Sequence, residues 1–208
     1  MPVAEPAVDD ELPLFPLQAV LFPGGLLGLK IFEARYLDLV TDCLREQRPF
    51  GVVALRSGSE AQRPGRGVNF EDIGTLAELI SVDSDRPGIL HVACRGQQRF
   101  RVLASHQRSD GLWLASTEPI PDDEPTAPAA AHAATVRGLQ EAIATLKAQD
   151  TTPFLEPYRF DDAGWVANRW CEILPISQAA KHKLMALPDP LARLQLVDDY
   201  LRSKGVLG

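Results

Sequence analysis

Up to about residue 120, apolar and polar positions trade places in short runs. Beyond that point apolar positions recur at helical spacing, so the chain reads as strands first and helices second. Leu14–Leu17 and Leu26–Leu29 are short apolar runs on either side of Phe22-Pro23-Gly24-Gly25, a turn signal. Proline within this region predicts edge strands, because proline cannot donate to a central ladder. In IFEARYLDLVTDCLREQ the apolar Ile31, Phe32, Tyr36, Leu39, Val40, Cys43 and Leu44 fall on one helical face. Glu33, Asp38, Asp42, Arg45 and Glu46 fall mostly on the other. Strands are then predicted at Phe50–Leu55, Ile73–Val82, Gly88–Cys94, Arg99–Ala104 and Leu112–Pro119, with a mobile loop from Arg56 to Gly67. In the Gly88 segment Leu90, Val92 and Cys94 share one parity. Six or more short strands around one helix predict a small barrel or folded sheet.

The pattern breaks at PIPDDEPTAPAAAHAA, residues 119–134, where four prolines, three acids and an alanine run form an exposed connection. Helices follow. One spans 131–149, and TTPFLEPYRF is a proline-broken stretch lying across the surface. Asp162 caps a helix from Ala163 to Leu174 with Val166, Trp170 and Ile173 inward. Pro175 stops that helix, and Ser177 caps the next through Leu187. Asp189-Pro190 is the clearest helix start, an N-cap with proline at the first helical position. Leu191, Leu194, Val197 and Leu201 then form its stripe, and Lys204-Gly205 stops it. The reading is an α+β chain: a β-rich part over residues 11–119, a linker over 120–134 and a helical part over 135–208.

Charge and composition narrow the function classes. LPLFPLQAVLFPGGLLGL, residues 12–29, has no charge, which is about the length of a membrane span. Three prolines and a glycine pair break it as a helix, and the stretch before it has no Lys or Arg and ends in three acids, unlike a secretion signal. Membrane insertion is therefore not expected. The net charge is −7, with 12 basic and 16 acidic residues up to position 120 and 9 and 12 after it. Neither half carries a broad nucleic-acid footprint. Cys43, Cys94 and Cys171 lie too far apart for a CxxC pair, so they read as apolar fillers in a reducing cytoplasm.

Candidate chemistry is sparse. The P-loop, GxGxxG, GxSxG and HExxH patterns are all absent. His91 and Cys94, three apart on a strand, point to opposite faces and cannot share a metal. His132 falls in the exposed alanine-rich stretch and His182 between two lysines. Adjacent acids such as Asp161-Asp162 and Asp198-Asp199 read as caps and solvated groups, and Trp165 and Trp170 as helix-core aromatics. The densest cluster is Arg95, Arg99, Arg101 and Arg108. The first three share odd parity, so on a continuous strand they line one exposed face, which is either solvated or the contact for an acidic partner. Glu33 and Arg35, beside Phe32 and Tyr36, are placed to hold the helix against the barrel. No catalytic residue, cofactor or metal is expected.

LPLFPLQAVLFPGGLLGLKIFEARYLDLV closely resembles the start of the Lon protease amino-terminal domain, the Lon substrate-binding domain, with its LP-x-FPL segment, VLFPG turn and IFE-x-RY helix. FEDIGTLAEL and GQQRFRV resemble later strands of that family, and WVANRWCEILPISQAAKHKLMALPDPLARLQLV its helices, so the likeness covers roughly residues 11–203. It implies a PUA-like β pseudobarrel with one helix, followed by a helical bundle. Neither the ATPase nor the protease of full-length Lon is found in this sequence, which reads as a standalone module. Cereblon carries a related module in a ubiquitin-ligase receptor. The implied role is non-catalytic recognition of unfolded or degron-bearing polypeptides, or of a protease or chaperone partner, as an adaptor in cytoplasmic protein quality control. Its surface is expected at the barrel–helix junction or under the Arg56–Gly67 loop. The alternatives are a PUA-like RNA-binding module, which the acidic balance opposes, and a small-molecule binder. No motif position identifies a peptide-contact residue; Arg95, Arg99 and Arg101 are the candidates.

Overall fold

The computed structural model describes residues 11–57 and 69–207, and within them the chain divides into two units. The first runs to Leu21 and resumes from Leu27 to Ile120; the second takes Phe22–Leu26 and everything from Pro121. The described residues form an α+β fold of six strands and five α-helices.

In the first unit the strands are β1 (Leu12–Leu17), β2 (Leu26–Ile31), β3 (Phe50–Ser57), β4 (Asn69–Arg86), β5 (Ile89–Gln107) and β6 (Trp113–Pro119), with helix α1 (Ala34–Glu46) between β2 and β3. Their order is β2-β5-β4-β3-β1-β6, and β6 returns to pair with β5, so five strands close on themselves and β2 stands outside. β1 and β3 are parallel, joined by the crossover that contains α1. The core is apolar: Phe15, Ile31, Tyr36, Val40, Phe50, Val52 and Cys94 fill it, with the Phe15 and Tyr36 rings stacked 3.8 Å apart. Leu90, Val92 and Cys94 face this core, as their shared parity predicts.

The edge assignment holds for β2 and fails for β1, which lies between β3 and β6. Its prolines are tolerated because neither neighbour follows β1 along its whole length. Pro13 sits where the register is with β6, Pro16 where it is with β3, so each occupies a locally one-sided stretch. β5 also departs from expectation, since two predicted strands are one of 19 residues. The polar Gly96-Gln97-Gln98 that looks like a break is a bulge: Ala77 opposes Gly96 and Thr75 opposes Arg99, three steps on β5 against two on β4. α1 begins at Ala34 rather than Ile31, whose side chain belongs to β2 and the core.

The second unit holds α2 (Ala133–Ala148), preceded by a 3₁₀ turn at Ala130–His132, then α3 (Ala163–Ile173), α4 (Gln178–Ala186) and α5 (Pro190–Ser203). The predicted N-caps form. Asp162 accepts from Gly164 and Trp165 N–H at 2.9 and 3.3 Å, Ser177 from Ala180 at 3.2 Å, and Asp189 from Leu191 and Ala192 at 2.9 and 3.1 Å. The stripe on α3 understates its burial, because every residue from Ala163 to Cys171 is inside, Asn168 and Arg169 included. Among the described residues no helix is long and apolar enough to cross a membrane.

Candidate functional site

The three candidate arginines do not share a face. The bulge between Gly96 and Arg99 inverts the parity of β5, so Arg95, opposite Glu78, points the other way from Arg99, opposite Thr75. Arg95 is exposed, whereas Arg99 is 2% exposed and Thr75 beside it 1%. The exposed arginine stripe is thus corrected. Arg101 is half-buried and engages Asp72 and Glu118, each at 3.3 Å, and Arg108 pairs with Asp110. Sequence parity could not reveal this, because one extra residue in the ladder decides which way every later side chain points.

Arg99 instead lines a cavity of about 360 Å³ in the first unit, where β1 begins and β6 ends. Apolar walls come from Leu12, Leu76 and Phe100, and the prolines Pro13, Pro49 and Pro119 stand around it. Pro13 stands just inside the start of β1, Pro49 just before β3 and Pro119 at the end of β6, while β4 and β5 run through the wall. Arg48, Gln98, Arg99 and Thr117 supply hydrogen-bond donors, and Glu11 is the acid in the lining. Glu11 reaches His106 at 3.4 Å, Arg48 reaches Glu46 at 2.8 Å, and Arg99 is itself engaged within the fold. The lining thus holds two guanidinium groups and one carboxylate, and Glu46 pairs with Arg48 from outside it.

Glu33 and Arg35 hold α1 to the barrel. The Arg35 Nη1 donates to Gly111 O at 2.7 Å, its Nη2 meets Glu33 at 2.8 Å, and its guanidinium lies 4.5 Å over the Tyr36 ring. This buried arginine fixes the helix through the β5–β6 turn.

The remaining candidates serve the fold. His132, expected to be exposed, is 5% exposed and its Nε2 lies 2.9 Å from Gln195 Oε1 on α5. The 3₁₀ turn before α2 rotates it inward. Asp198 accepts from Thr135 and, at 2.7 Å, from Arg202, so one of the paired acids is a buried anchor. Trp170 Nε1 donates to Thr135 O at 3.0 Å. Among the described residues no group of three His, Cys, Asp or Glu could hold a metal. All three cysteines are buried, and burial pushes the Cys43 thiol up to about 11 and those of Cys94 and Cys171 up to about 12. They remain protonated and unreactive near neutral pH. The loop expected to cover a peptide surface lies, from Gly58 to Gly67, outside the described residues.

A second buried cluster surrounds the Phe22–Leu26 segment within the second unit. Gly24 takes φ +71°, which a type II turn with proline at its second position requires, and Gly25 N–H closes that turn on Phe22 O at 2.9 Å. Arg169, wholly buried on α3, donates to Pro23 O at 2.9 Å and to Gly24 O, and pairs with Glu172 at 2.8 Å. Burial pushes the Glu172 carboxyl up to about 7, against the opposing pull of Arg169 and Lys181. A carboxyl near neutrality is a mark of acid–base sites. Here its partner is a turn-binding arginine, and it does not line the described cavity.

The model of the ATP-dependent protease La (LON) substrate-binding domain matches residues 11–203. A crystal structure of a Lon N-terminal domain protein from Xanthomonas campestris superposes with a TM-score of 0.73 at 31% identity, covering 91% of this chain and 98% of that one. The N-terminal domain of a Mycobacterium avium complex Lon protease shares the fold, with a TM-score of 0.60 at 16% identity. In sequence, the Lon protease of Paraburkholderia phytofirmans is 33% identical over 126 residues, 58% of this chain and 15% of that protein. Protein cereblon of Gallus gallus is 30% identical over 115 residues, 53% of this chain and 24% of that one. The chain therefore spans under a quarter of these curated relatives. A six-stranded sheet of which five strands close on themselves, the crossover helix held by Glu33 and Arg35, and a match over nearly all described residues lead to one conclusion: this chain belongs to the LON substrate-binding domain family.

Proposed function

We propose that this chain is a non-catalytic module that binds polypeptide, taking unfolded or degron-bearing segments or a protease or chaperone partner, as an adaptor in cytoplasmic protein quality control. The observation that carries the reading is the family match over residues 11–203, since the family is described by substrate binding in an ATP-dependent protease. Two features agree with it. The buried thiols are unreactive, and the described cavity of the first unit is lined by no Ser, Cys, Lys or His.

Transient recognition of this kind has micromolar dissociation constants, roughly −8 kcal/mol. Titration of the chain against a broad library of unstructured peptides, read by fluorescence anisotropy, should give saturable binding in that range. Absence of binding across the library would remove the reading.

A further inference from the structure

We propose that Arg169 and Glu172 of α3 form a proton-operated latch on the FPGG turn, which lies closed over a neutral Glu172 carboxyl and lifts away from the carboxylate. The latch is independent of what the chain binds. Phe22–Leu26 is the one stretch before Pro121 that belongs to the helical unit, and it runs between Leu21 and Leu27 of the strand unit. Two sets of contacts hold it. Arg169 donates to Pro23 O and Gly24 O, and Gly25 forms an antiparallel bridge with Phe154. The Gly25 main chain also presses on the acid, since a methyl carbon there would stand 2.3 Å from Glu172 Oε1. The closed turn therefore keeps water from that oxygen.

Among the described residues, the charged groups that act on this carboxyl are Arg169 and Lys181. Arg169 lies 2.8 Å away on α3, and the Lys181 ammonium of α4 bonds Glu172 O at 2.8 Å. The turn and Phe154 bring none, because neither carries a titratable side chain. Both cations favour the carboxylate, but burial outweighs them and holds the proton up to about 7. The Glu172 side chain keeps 17% of its surface exposed, so it exchanges protons with solvent while the turn is closed. Lifting the turn returns water to the carboxyl, and its hold on the proton falls toward the ordinary 4.5. A conformation that binds a proton less tightly gains population as pH rises. The turn is thus held closed in mild acid and opens more often as pH climbs through 7.

The Gly25 N–H, bonded to Phe22 O at 2.9 Å, reports the state of the latch. Its hydrogen-exchange protection factor, measured by NMR from about pH 5 to 8, should fall about tenfold or more in the wild type. In Glu172→Gln, whose neutral amide keeps the shape of the protonated acid, it should stay level. At every pH it should lie below the protection of the slowest α5 amides, because the latch opens without global unfolding. Gly25→Ala props the turn off the carboxyl. The Glu172 titration midpoint, read from its carboxyl carbon shift, should then drop by about one pH unit or more. A level wild-type profile, an equal fall in Glu172→Gln or protection equal to that of the α5 amides would each overturn the latch. So would a midpoint unmoved in folded Gly25→Ala.

Discussion

The strand unit and the helical unit bury different kinds of side chain. In the strand unit, ladders satisfy the backbone and the interior is almost wholly apolar, with Arg35, Thr75 and Arg99 as its buried polar residues among those described. The helical unit buries His132, Thr135, Asp162, Asn168, Arg169, His182, Arg193 and Asp198. Its helices have 9 to 16 residues, and each helix leaves about four carbonyls unpaired at its C-terminal end. Side chains answer them. Arg193 of α5 donates to Leu184 O at 2.8 Å and to Leu187 O, at the end of α4, and to Asn168 and Asp123 at 3.0 and 2.7 Å. Lys181 of α4 donates to Glu172 O of α3 at 2.8 Å. Backbone satisfaction is common to both units; a sheet supplies it from its own main chain, and short helices borrow it from cations.

The largest effect expected is from Arg193→Ala. It removes the guanidinium donor shared by the α4 carbonyls and Asp123 in a buried setting, which should destabilise the helical unit by about 3–5 kcal/mol. Hydrogen exchange by mass spectrometry should show protection lost over α3–α5 and retained in β4–β5. Equal loss in both would break the distinction between the units. Gly74→Ala is the mirror experiment in the strand unit. A methyl carbon there would stand 2.5 Å from Val52 O and 2.6 Å from Phe100 Cζ. The carbonyl is part of the β3 backbone and cannot swing aside, so about 3 kcal/mol of overpacking is expected in urea unfolding, with exchange raised in β3–β5.

Glu172 gives the smallest effect and a pH signature. Its carboxyl holds a proton up to about 7 in the native state against 4.5 ordinarily, because of burial. Between those values the native state binds more protons than the unfolded state, so the contribution of this group falls as pH rises. Wild type should lose on the order of 2 kcal/mol relative to Glu172→Gln across that window. Unfolding curves at matched ionic strength on either side of the window check it, and parallel pH profiles would refute it.

Much of the fold was legible because its signals are local. Asp162, Ser177 and Asp189 cap helices within three residues of themselves, and the FPGG turn is set by proline and glycine dihedrals. The candidate site was legible only in part. The arginine cluster contained Arg99, and Pro13 and Pro119 were visible as strand punctuation, but nothing in the local pattern placed them around one opening.

The sequence by itself determined the strand and helix periods, the caps, the turn and the family likeness, since each depends on neighbours along the chain. Tertiary structure alone decided three things. β1 became an interior strand, because its prolines face one partner at a time. Arg99 turned inward, because a bulge adds one residue to β5 and reverses its faces. Arg169 and Arg193 went to the interior of the helical unit, because the carbonyls they satisfy come from residues distant in sequence or from the ends of other helices. Side-chain periodicity records which face is buried only while the ladder or the helix runs unbroken, and the residues that matter most here lie where it breaks.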